Sequence, residues 1–261
     1  MTEILIAAAV VGGVGIILAI LLCIASVKFK VEVDEKEVAV RELLPGNNCG
    51  GCGYPGCDGL AAAIAKGEAP ANACPVASAD VAGKIGAVLG VEVEAAARMV
   101  AVVKCAGTCD EAKDLYEYVG PQDCALAATS PNGGAKACSY GCLGFGNCAK
   151  ACPYGAISLV KGIAYVDKEK CRACKKCVAA CPRHLIEMVT YDLDQVVRCN
   201  SHDKGKDVKA ACNAGCIGCT LCVRNCPNEA IAMDNNVAHI DPAKCTNCKA
   251  CVAKCPVKVI Q

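Results

Sequence analysis

The first apolar segment of the chain is long and has no polar face. Every residue from Ile4 to Val27 is apolar or small apart from Ser26, and the segment slightly exceeds the roughly 20 residues that cross a bilayer as a helix. The pattern therefore predicts one transmembrane helix. Glu3 precedes the segment and Lys28 and Lys30 follow it, which is unlike a secretory signal and places the rest of the chain on the cytoplasmic side.

Shorter apolar patterns follow this segment. Ser78 to Val103 is rich in Ala, Val and Gly and contains no Cys, so we interpret it as scaffold. Further along, alternating segments flank two turns and predict two β-hairpins. The hairpins combine Ala156 to Val160 with Ile163 to Val166, and Ala230 to Met233 with Val237 to Ile240.

Cysteine is the most unusual component of the chain, with 26 of 261 residues. This density is typical of short secreted domains held by disulfides, but here the cysteines occur in C-x2-C runs that suit ligands of one metal centre better. We therefore predict a reducing, cytoplasm-facing environment. Aromatic residues make up only 3% of the chain, so metal centres must replace part of a conventional core.

The charge balance excludes one class of function. Lys and Arg number 27 and Asp and Glu number 26, so the chain lacks the basic excess of a nucleic-acid-binding protein. The three histidines are scattered without partners, and we expect no catalytic residue on this chain.

A first metal motif lies close to the apolar segment. The sequence NCGGCGYPGCDG is followed by an Ala-rich run and then by ACP, which supplies four thiolates from Cys49, Cys52, Cys57 and Cys74. Glycines between the cysteines let a loop wrap closely around a cluster. A zinc site is the alternative, but the glycine-rich loop and the Pro after the last Cys favour an iron-sulfur cluster.

An internal repeat is the strongest pattern in the sequence. Seven cysteines recur 74 positions later. The first set is Cys142, Cys148, Cys152, Cys171, Cys174, Cys177 and Cys181, and the second set is Cys216, Cys222, Cys226, Cys245, Cys248, Cys251 and Cys255. The second copy also contains Cys219, which completes the first of its two C-x2-C-x2-C-x3-C-P runs. Two such runs are the motif of bacterial two-cluster ferredoxins.

In that motif the fourth cysteine of each run binds the cluster of the other run. The second copy therefore predicts one 4Fe-4S cluster on Cys216, Cys219, Cys222 and Cys255, and another on Cys245, Cys248, Cys251 and Cys226.

The first copy departs from the motif because Phe145 stands where the second copy has Cys219. Cys138, which recurs as Cys212, is a candidate replacement ligand. Cys124 precedes Cys138 by nearly the same spacing that separates Cys199 from Cys212. These spacings indicate an upstream cysteine pair in each copy.

Two assignments of the remaining cysteines stay open. In the first, which we favour, Cys138, Cys142, Cys148 and Cys181 form a normal cluster. Cys105, Cys109 and Cys124 then recruit Cys199 or Cys212 for a sixth. In the second, Cys105, Cys109, Cys124 and Cys138 form the sixth cluster and leave a three-cysteine site suited to a 3Fe-4S cluster. Free thiols are a further alternative for each of these six residues, and Cys23 is interpreted as a packing residue.

The expected metal ligands are thus divided into two groups. The main group comprises Cys49, Cys52, Cys57, Cys74, Cys138, Cys142, Cys148, Cys152, Cys171, Cys174, Cys177, Cys181, Cys216, Cys219, Cys222, Cys226, Cys245, Cys248, Cys251 and Cys255. The additional candidates are Cys105, Cys109, Cys124, Cys199 and Cys212. They predict five or six iron-sulfur clusters. All are 4Fe-4S in the first assignment, and one is 3Fe-4S in the second.

The predicted fold class is α+β. It combines a transmembrane helix, a small helical 4Fe-4S module and two tandem bacterial ferredoxin-like domains. The predicted boundaries are 1–28 for the anchor, 29–100 for the 4Fe-4S module with its scaffold, 101–135 for a cysteine-containing connector, 136–190 for the first ferredoxin-like domain, 191–210 for a second connector and 211–261 for the second ferredoxin-like domain.

With these motifs the chain resembles the B subunits of Rnf complexes, in the longer form that carries a doubled ferredoxin region. The resemblance covers essentially the whole length and depends on the apolar N-terminal segment, on NCGGCGYPGCDG with ACP, and on GCLGFGNCAKACPYGAI, CNSHDKGK and GCIGCTLCVRNCP. It implies an iron-sulfur electron-transfer subunit of a membrane complex that oxidises reduced ferredoxin, reduces NAD and pumps sodium ions or protons.

The resemblance also implies the partners. They are soluble ferredoxin as donor, the membrane and flavin- or NAD-binding subunits of the complex, and the lipid bilayer through residues 4–27. No complete active site is expected on this chain alone, and its location is the cytoplasmic membrane, single-pass, with the iron-sulfur domains in the cytoplasm.

Other interpretations stay open. One alternative is a polyferredoxin subunit of another membrane oxidoreductase, although such subunits do not need the Cys49 module. Another alternative is a redox sensor. Basic residues crowd both cysteine regions, and we expect one such face to dock the donor. The face favoured by sequence carries Lys170, Arg172, Lys175 and Lys176; the other carries Lys244, Lys249 and Lys254.

Overall fold

The computed structural model describes residues 12–13, 15–24, 34–93 and 97–261. Residues 12–13 and 15–24 are helical, and the apolar side chains of Ile16, Leu18 and Leu22 are more than half exposed. The remaining residues of the predicted span, 4–27, lie outside the described residues. In the described part of the chain, no helix meets the length and apolarity needed to cross a membrane.

Beyond residue 34 the chain is a mixture of short helices and short strands. The α-helices are α1 Glu35–Leu43, α2 Gly56–Ala65, α3 Ala79–Leu89, α4 Cys124–Ala127, α5 Asn147–Lys150, α6 Lys176–Ala180, α7 Gly205–Ala211, α8 Leu221–Arg224 and α9 Ala250–Lys254. A 3-10 helix spans Pro131–Gly133. The strands are β1 Met99–Val103, β2 Ile157–Val160, β3 Ile163–Val166, β4 Ile186–Thr190, β5 Ile231–Asp234 and β6 Val237–Ile240.

The N-terminal module is a small helical unit with its own core. The Asp34 side chain caps α1 by accepting the N–H of Lys36 at 2.9 Å, which satisfies one of the free amides of the first turn. Helices α1, α2 and α3 bury Leu60, Ile64 and Ile85, each at most 1% exposed. The module thus has a helical scaffold that holds the loop containing Cys49 and Cys52.

Two ferredoxin-like units follow, and each contains one of the predicted hairpins. β2 pairs antiparallel with β3, and β5 pairs antiparallel with β6, which confirms the alternating pattern. The same hydrogen bond closes both hairpins, since the N–H groups of Asp167 and Asp241 donate to Ala156 and Ala230 at 2.8 Å. The repeat is therefore a repeat of structure as well as of cysteines.

Each unit is completed by a segment from further upstream. In unit 1, β1 pairs antiparallel with β4, with Val103 opposite Ile186. In unit 2, Val197 forms the corresponding bridge to Ile260, the residue 74 positions after Ile186. The segments predicted as connectors, 101–135 and 191–210, therefore contribute to the units, and the predicted boundary at residue 100 falls inside β1.

The N-terminal module packs against one end of unit 1. The Asn47 side chain donates to the hydroxyl of Tyr154 at 2.9 Å, and Gly51 lies directly over the backbone of Cys174. A Cβ atom at Gly51 would meet the carbonyl oxygen of Cys174 at 3.0 Å and its Cα at 3.2 Å. These contacts set the loop of Cys49 and Cys52 beside the second cysteine run of unit 1.

Gly51→Val should separate the module from unit 1, because the added side chain meets backbone atoms that have no freedom to rotate away. We expect faster hydrogen exchange at Ala173 and Cys174 and earlier proteolysis between the module and unit 1. Gly83→Val is the matched control, since no atom lies within 4 Å of a Cβ at Gly83. Equal exchange in the two variants would contradict the packing.

Candidate metal centres

All 26 cysteines are free thiols, and most of them gather into groups drawn from separate parts of the chain. Among the described residues, no three His, Cys, Asp or Glu side chains are placed to hold a single metal ion. A four-iron cluster is larger than one ion, and its thiolates lie correspondingly further apart.

The N-terminal module gathers its four predicted cysteines. Burial raises the pKa of the Cys74 thiol, and the nearby charges of Cys52 and Cys57 raise it further. Asn48 accepts the N–H of Cys57 at 2.7 Å through its side chain, which fixes the start of α2. Burial raises the pKa of Tyr154, and the nearby charges of Cys174, Cys49 and Cys74 raise it further. Tyr154 therefore lies between this group and unit 1.

The second group of unit 1 lines a cavity of about 320 Å³. Its cysteines are Cys152, Cys171, Cys174 and Cys177. The N–H of Ala101 on β1 donates to the sulfur of Cys171 at 3.4 Å. Burial raises the pKa of Cys177 to about 11, with further contributions from Cys171, Cys174 and Cys152. Three thiols of one run and the fourth of the other thus share one site.

Unit 2 repeats this arrangement in its second group, which lines a cavity of about 310 Å³. The cysteines are Cys226, Cys245, Cys248 and Cys251, and the N–H of Ala230 donates to the Cys226 sulfur at 3.3 Å. The set matches the one expected from the ferredoxin motif.

The first group of unit 2 contains Cys216, Cys219 and Cys222. Burial raises the pKa of Cys222 to about 11, and the charge of Cys216 contributes next. Cys222 lies on α8, which contacts α9, and Cys255 follows α9 directly. Cys255 therefore follows a helix that packs against the helix of Cys222, and its membership of this group stays a prediction of the motif.

The first group of unit 1 has a fourth member that the sequence analysis did not favour. Burial raises the pKa of Cys148 to about 12, and the charges that add to this effect come from Cys142, Cys181 and Cys124. Cys138 lines a different cavity. The sequence-based preference for Cys138 as the replacement for the missing cysteine therefore differs from the structure, in which Cys124 lies beside Cys148.

Hydrogen bonds hold Cys124 in this position. The side chain of Asn147, the first residue of α5, accepts the N–H of Cys124 at 3.0 Å and donates to Asp123 at 2.8 Å. Phe145 fills the position of the missing cysteine and packs against Tyr118, with ring centroids 5.2 Å apart. The segment around residues 114–130 therefore brings the Cys124 thiol to the group from outside the ferredoxin motif. The spacing of the cysteines in the sequence does not predict this position.

Cys138 instead lines another cavity, together with Cys105, Cys199 and Cys212. The remaining candidate, Cys109, is exposed, and its sulfur lies beside Gly162, where an added Cβ would be 3.0 Å away. Cys23 is exposed on the N-terminal helical segment. Neither of these two thiols lines a cysteine cavity in the described part of the chain.

The cysteine groups of the ferredoxin runs fit iron-sulfur clusters. The two cavities of the second groups each combine four thiols from separate segments, and backbone N–H groups donate to the sulfurs of Cys171 and Cys226. These features hold such clusters and adjust their potentials. Because the buried thiols are protonated without metal, cluster binding must release protons as the thiolates form.

Comparison with known families identifies the same regions. Residues 44–76 match the family described as putative Fe-S cluster, residues 164–187 match the 4Fe-4S binding domain, and residues 215–259 match the 4Fe-4S dicluster domain.

Individual relatives match across most of the chain. The B subunit of the Na(+)-translocating ferredoxin:NAD(+) oxidoreductase complex of Acetobacterium woodii is 44% identical, over 92% of this chain and 72% of the relative. The B subunit of an ion-translocating oxidoreductase complex of Methanosarcina acetivorans is 44% identical, over 90% and 89%. The proton-translocating counterpart of Clostridium ljungdahlii is 38% identical, over 87% and 81%. The chain therefore belongs to the family of B subunits of ion-translocating oxidoreductase complexes.

Proposed function

We propose that this chain is the electron-transfer subunit of a membrane-bound, ion-translocating ferredoxin:NAD+ oxidoreductase, which accepts electrons from reduced ferredoxin and passes them to partner subunits. The observation that carries the proposal is the succession of four-cysteine groups from the N-terminal module through both ferredoxin-like units. The names of the relatives from Acetobacterium woodii and Clostridium ljungdahlii supply the donor and the acceptor.

We propose five ligand sets, supported by the cysteines that line one cavity or act on one another's pKa. They are Cys49, Cys52, Cys57 and Cys74; Cys124, Cys142, Cys148 and Cys181; Cys152, Cys171, Cys174 and Cys177; Cys216, Cys219, Cys222 and Cys255; and Cys226, Cys245, Cys248 and Cys251. Bound 4Fe-4S clusters supply one-electron redox chemistry. The chain's own residues hold the thiolates, donate N–H groups to sulfur and keep water away.

The structure supports a donor site on unit 2 rather than on unit 1. In unit 1 the N-terminal module covers Cys174, which is buried, whereas the equivalent Cys248 of unit 2 is exposed. The lysines near Cys248, which are Lys244, Lys249 and Lys254, are also exposed. We therefore place ferredoxin docking on this face, in contrast to the sequence-based preference for the face of Lys175 and Lys176.

Membrane attachment is proposed through residues 4–27. The support is the uninterrupted apolar sequence of this segment and the exposure of its apolar side chains in the helical residues that the structure describes. The ion-translocating complexes to which the relatives belong are consistent with this placement.

Reduced ferredoxin mixed with the purified, cluster-loaded full-length chain should bleach the broad visible absorbance of the clusters. The physical reason is that the exposed side of the Cys248 group gives a protein donor close approach. The measurement is stopped-flow absorbance under anaerobic conditions. No bleaching by ferredoxin, with full bleaching by dithionite, would contradict the proposal and favour a redox sensor.

Cys124→Ala should remove one thiolate from the Cys148 site. We expect a loss of roughly one to four iron atoms per chain, with a three-iron EPR signal if the cluster survives in part. Cys109→Ala is the matched control, since that thiol is exposed and lines no cysteine cavity among the described residues. Wild-type iron content in the Cys124 variant would contradict the assignment.

Charge reversal at Lys244 and Lys249 should raise the apparent KM for ferredoxin by roughly 3- to 30-fold at low salt and flatten its salt dependence, because steering by exposed charge is lost. The assay is ferredoxin oxidation by the intact complex at several ionic strengths. Reversal at Lys175 and Lys176 is the matched control. A larger effect of the control would return the docking site to unit 1.

A further inference from the structure

We propose that Cys105, Cys138, Cys199 and Cys212 hold a further iron-sulfur cluster at the junction of the two ferredoxin-like units. The inference rests on the proposed function, because it assigns one more site in the same series. None of these four thiols belongs to a C-x2-C run, and the families matched to the sequence do not assign them as a group.

The four residues are two pairs of equivalent positions. Cys138 and Cys212 are related by the internal repeat. Cys105 follows the segment whose Val103 pairs with Ile186, and Cys199 follows the segment whose Val197 bridges to Ile260. Each unit thus contributes the same two thiols. Spacing along the sequence pairs Cys124 with Cys199. The strand pairing instead makes Cys105 the equivalent of Cys199.

All four thiols line one cavity. Two of the sulfurs lie close to one glycine, because a Cβ atom at Gly107 would be 3.3 Å from the sulfur of Cys212 and 3.7 Å from the sulfur of Cys105. The four thiols therefore meet at the junction of the two units.

Backbone groups near the sulfurs follow the same symmetry. The N–H of Cys142 donates to the sulfur of Cys105 at 3.4 Å, and the backbone of Cys216 lies close enough to the Cys199 thiol to affect its pKa. Cys142 and Cys216 are themselves equivalent positions of the internal repeat.

Cys138 and Cys212 share a second matching pair of neighbouring amides. The backbone amide of Tyr140 lies close enough to the Cys138 thiol to lower its pKa, and the amide of the equivalent Ala214 acts in the same way on Cys212. Amides placed in this way stabilise the sulfur ligands of clusters.

The cavity is lined by thiols and cations. It measures about 460 Å³, and the two ferredoxin-motif cavities measure about 320 and 310 Å³, with space open to solvent included in each volume. Lys104, Lys136 and Arg198 line it, and none of its described lining residues carries a carboxylate. Lys104 is paired with Glu187 at 3.0 Å, so the charges of Lys136 and Arg198 are the ones that favour a group carrying four thiolates.

Contacts between the units hold the four thiols together. Arg198 of unit 2 donates to the carbonyl of Cys105 at 3.1 Å. The segment around Ala112 pairs with Cys212, with Lys113 donating to Ala211 at 2.9 Å. The junction is therefore a fixed interface and not a flexible linker.

The site is also continuous with its neighbours on both sides. Cys142 and Cys216, whose backbones lie beside its thiols, belong to the proposed first sites of unit 1 and unit 2. A cluster here would give electrons a stepping point between the two sites of unit 1 and the two sites of unit 2.

The test is the iron and sulfide content of the full-length chain purified anaerobically. The wild type should contain roughly 24 iron atoms per chain, and Cys105→Ala/Cys199→Ala roughly 20, with visible absorbance falling in the same ratio. Cys109→Ala should match the wild type. Gly107→Val, which keeps every thiol but crowds two of the sulfurs, should also lose roughly four irons and serves where the double variant fails to fold.

Cys171→Ala separates failure of this inference from failure of the proposed function. If Cys171→Ala loses iron while the Cys105/Cys199 and Gly107 variants keep wild-type iron, the junction site is wrong and the proposed function stands. If no variant loses iron, both are wrong. One zinc ion per chain that disappears only in the Cys105/Cys199 variant would also overturn the cluster assignment.

Discussion

Burial of several thiolates in one small space is the constraint on which the rest of this structure depends. Neighbouring thiolates repel one another and lose hydration, and burial raises the pKa values of Cys148, Cys177, Cys199 and Cys222 to about 11 or 12. A bound metal centre compensates for both effects, so its binding energy is also folding energy. In a chain with few aromatic residues, such centres would supplement an apolar core that itself contains several of the buried cysteines.

The backbone around each group follows from this constraint. Four thiols can surround one centre only if distant segments meet. In each ferredoxin-like unit, the two cysteine runs are brought together by two short helices that pack against each other. One β-hairpin lies between the two runs of each unit and connects them. N–H donors on sulfur, such as Ala101 on Cys171 and Ala230 on Cys226, provide the positive dipoles that the thiolates need.

Differences between the two units indicate how the series is used. The N-terminal module covers Cys174 in unit 1, and its equivalent Cys248 is left exposed in unit 2. In unit 1 only, Phe145 stands at the position of Cys219 and Cys124 lies near Cys148. At the junction the symmetry is retained, because each unit contributes the same pair of thiols to one cavity.

The sequence by itself determined the parts whose chemistry is local. C-x2-C-x2-C-x3-C-P runs specify a two-cluster unit because all but one ligand of each cluster lie within a few residues, and alternation specifies the hairpins for the same reason. The helical character of the N-terminal module and the family resemblance follow from local motifs too.

Only the tertiary structure decided where the isolated cysteines belong. Cys124 reaches Cys148 through hydrogen bonds of Asn147, and Cys105 and Cys199 become equivalent through pairing between segments that are far apart in the sequence. Spacing along the chain suggested other partners for Cys138 and Cys199, because linear distance carries no information about which loop an upstream strand brings across the junction.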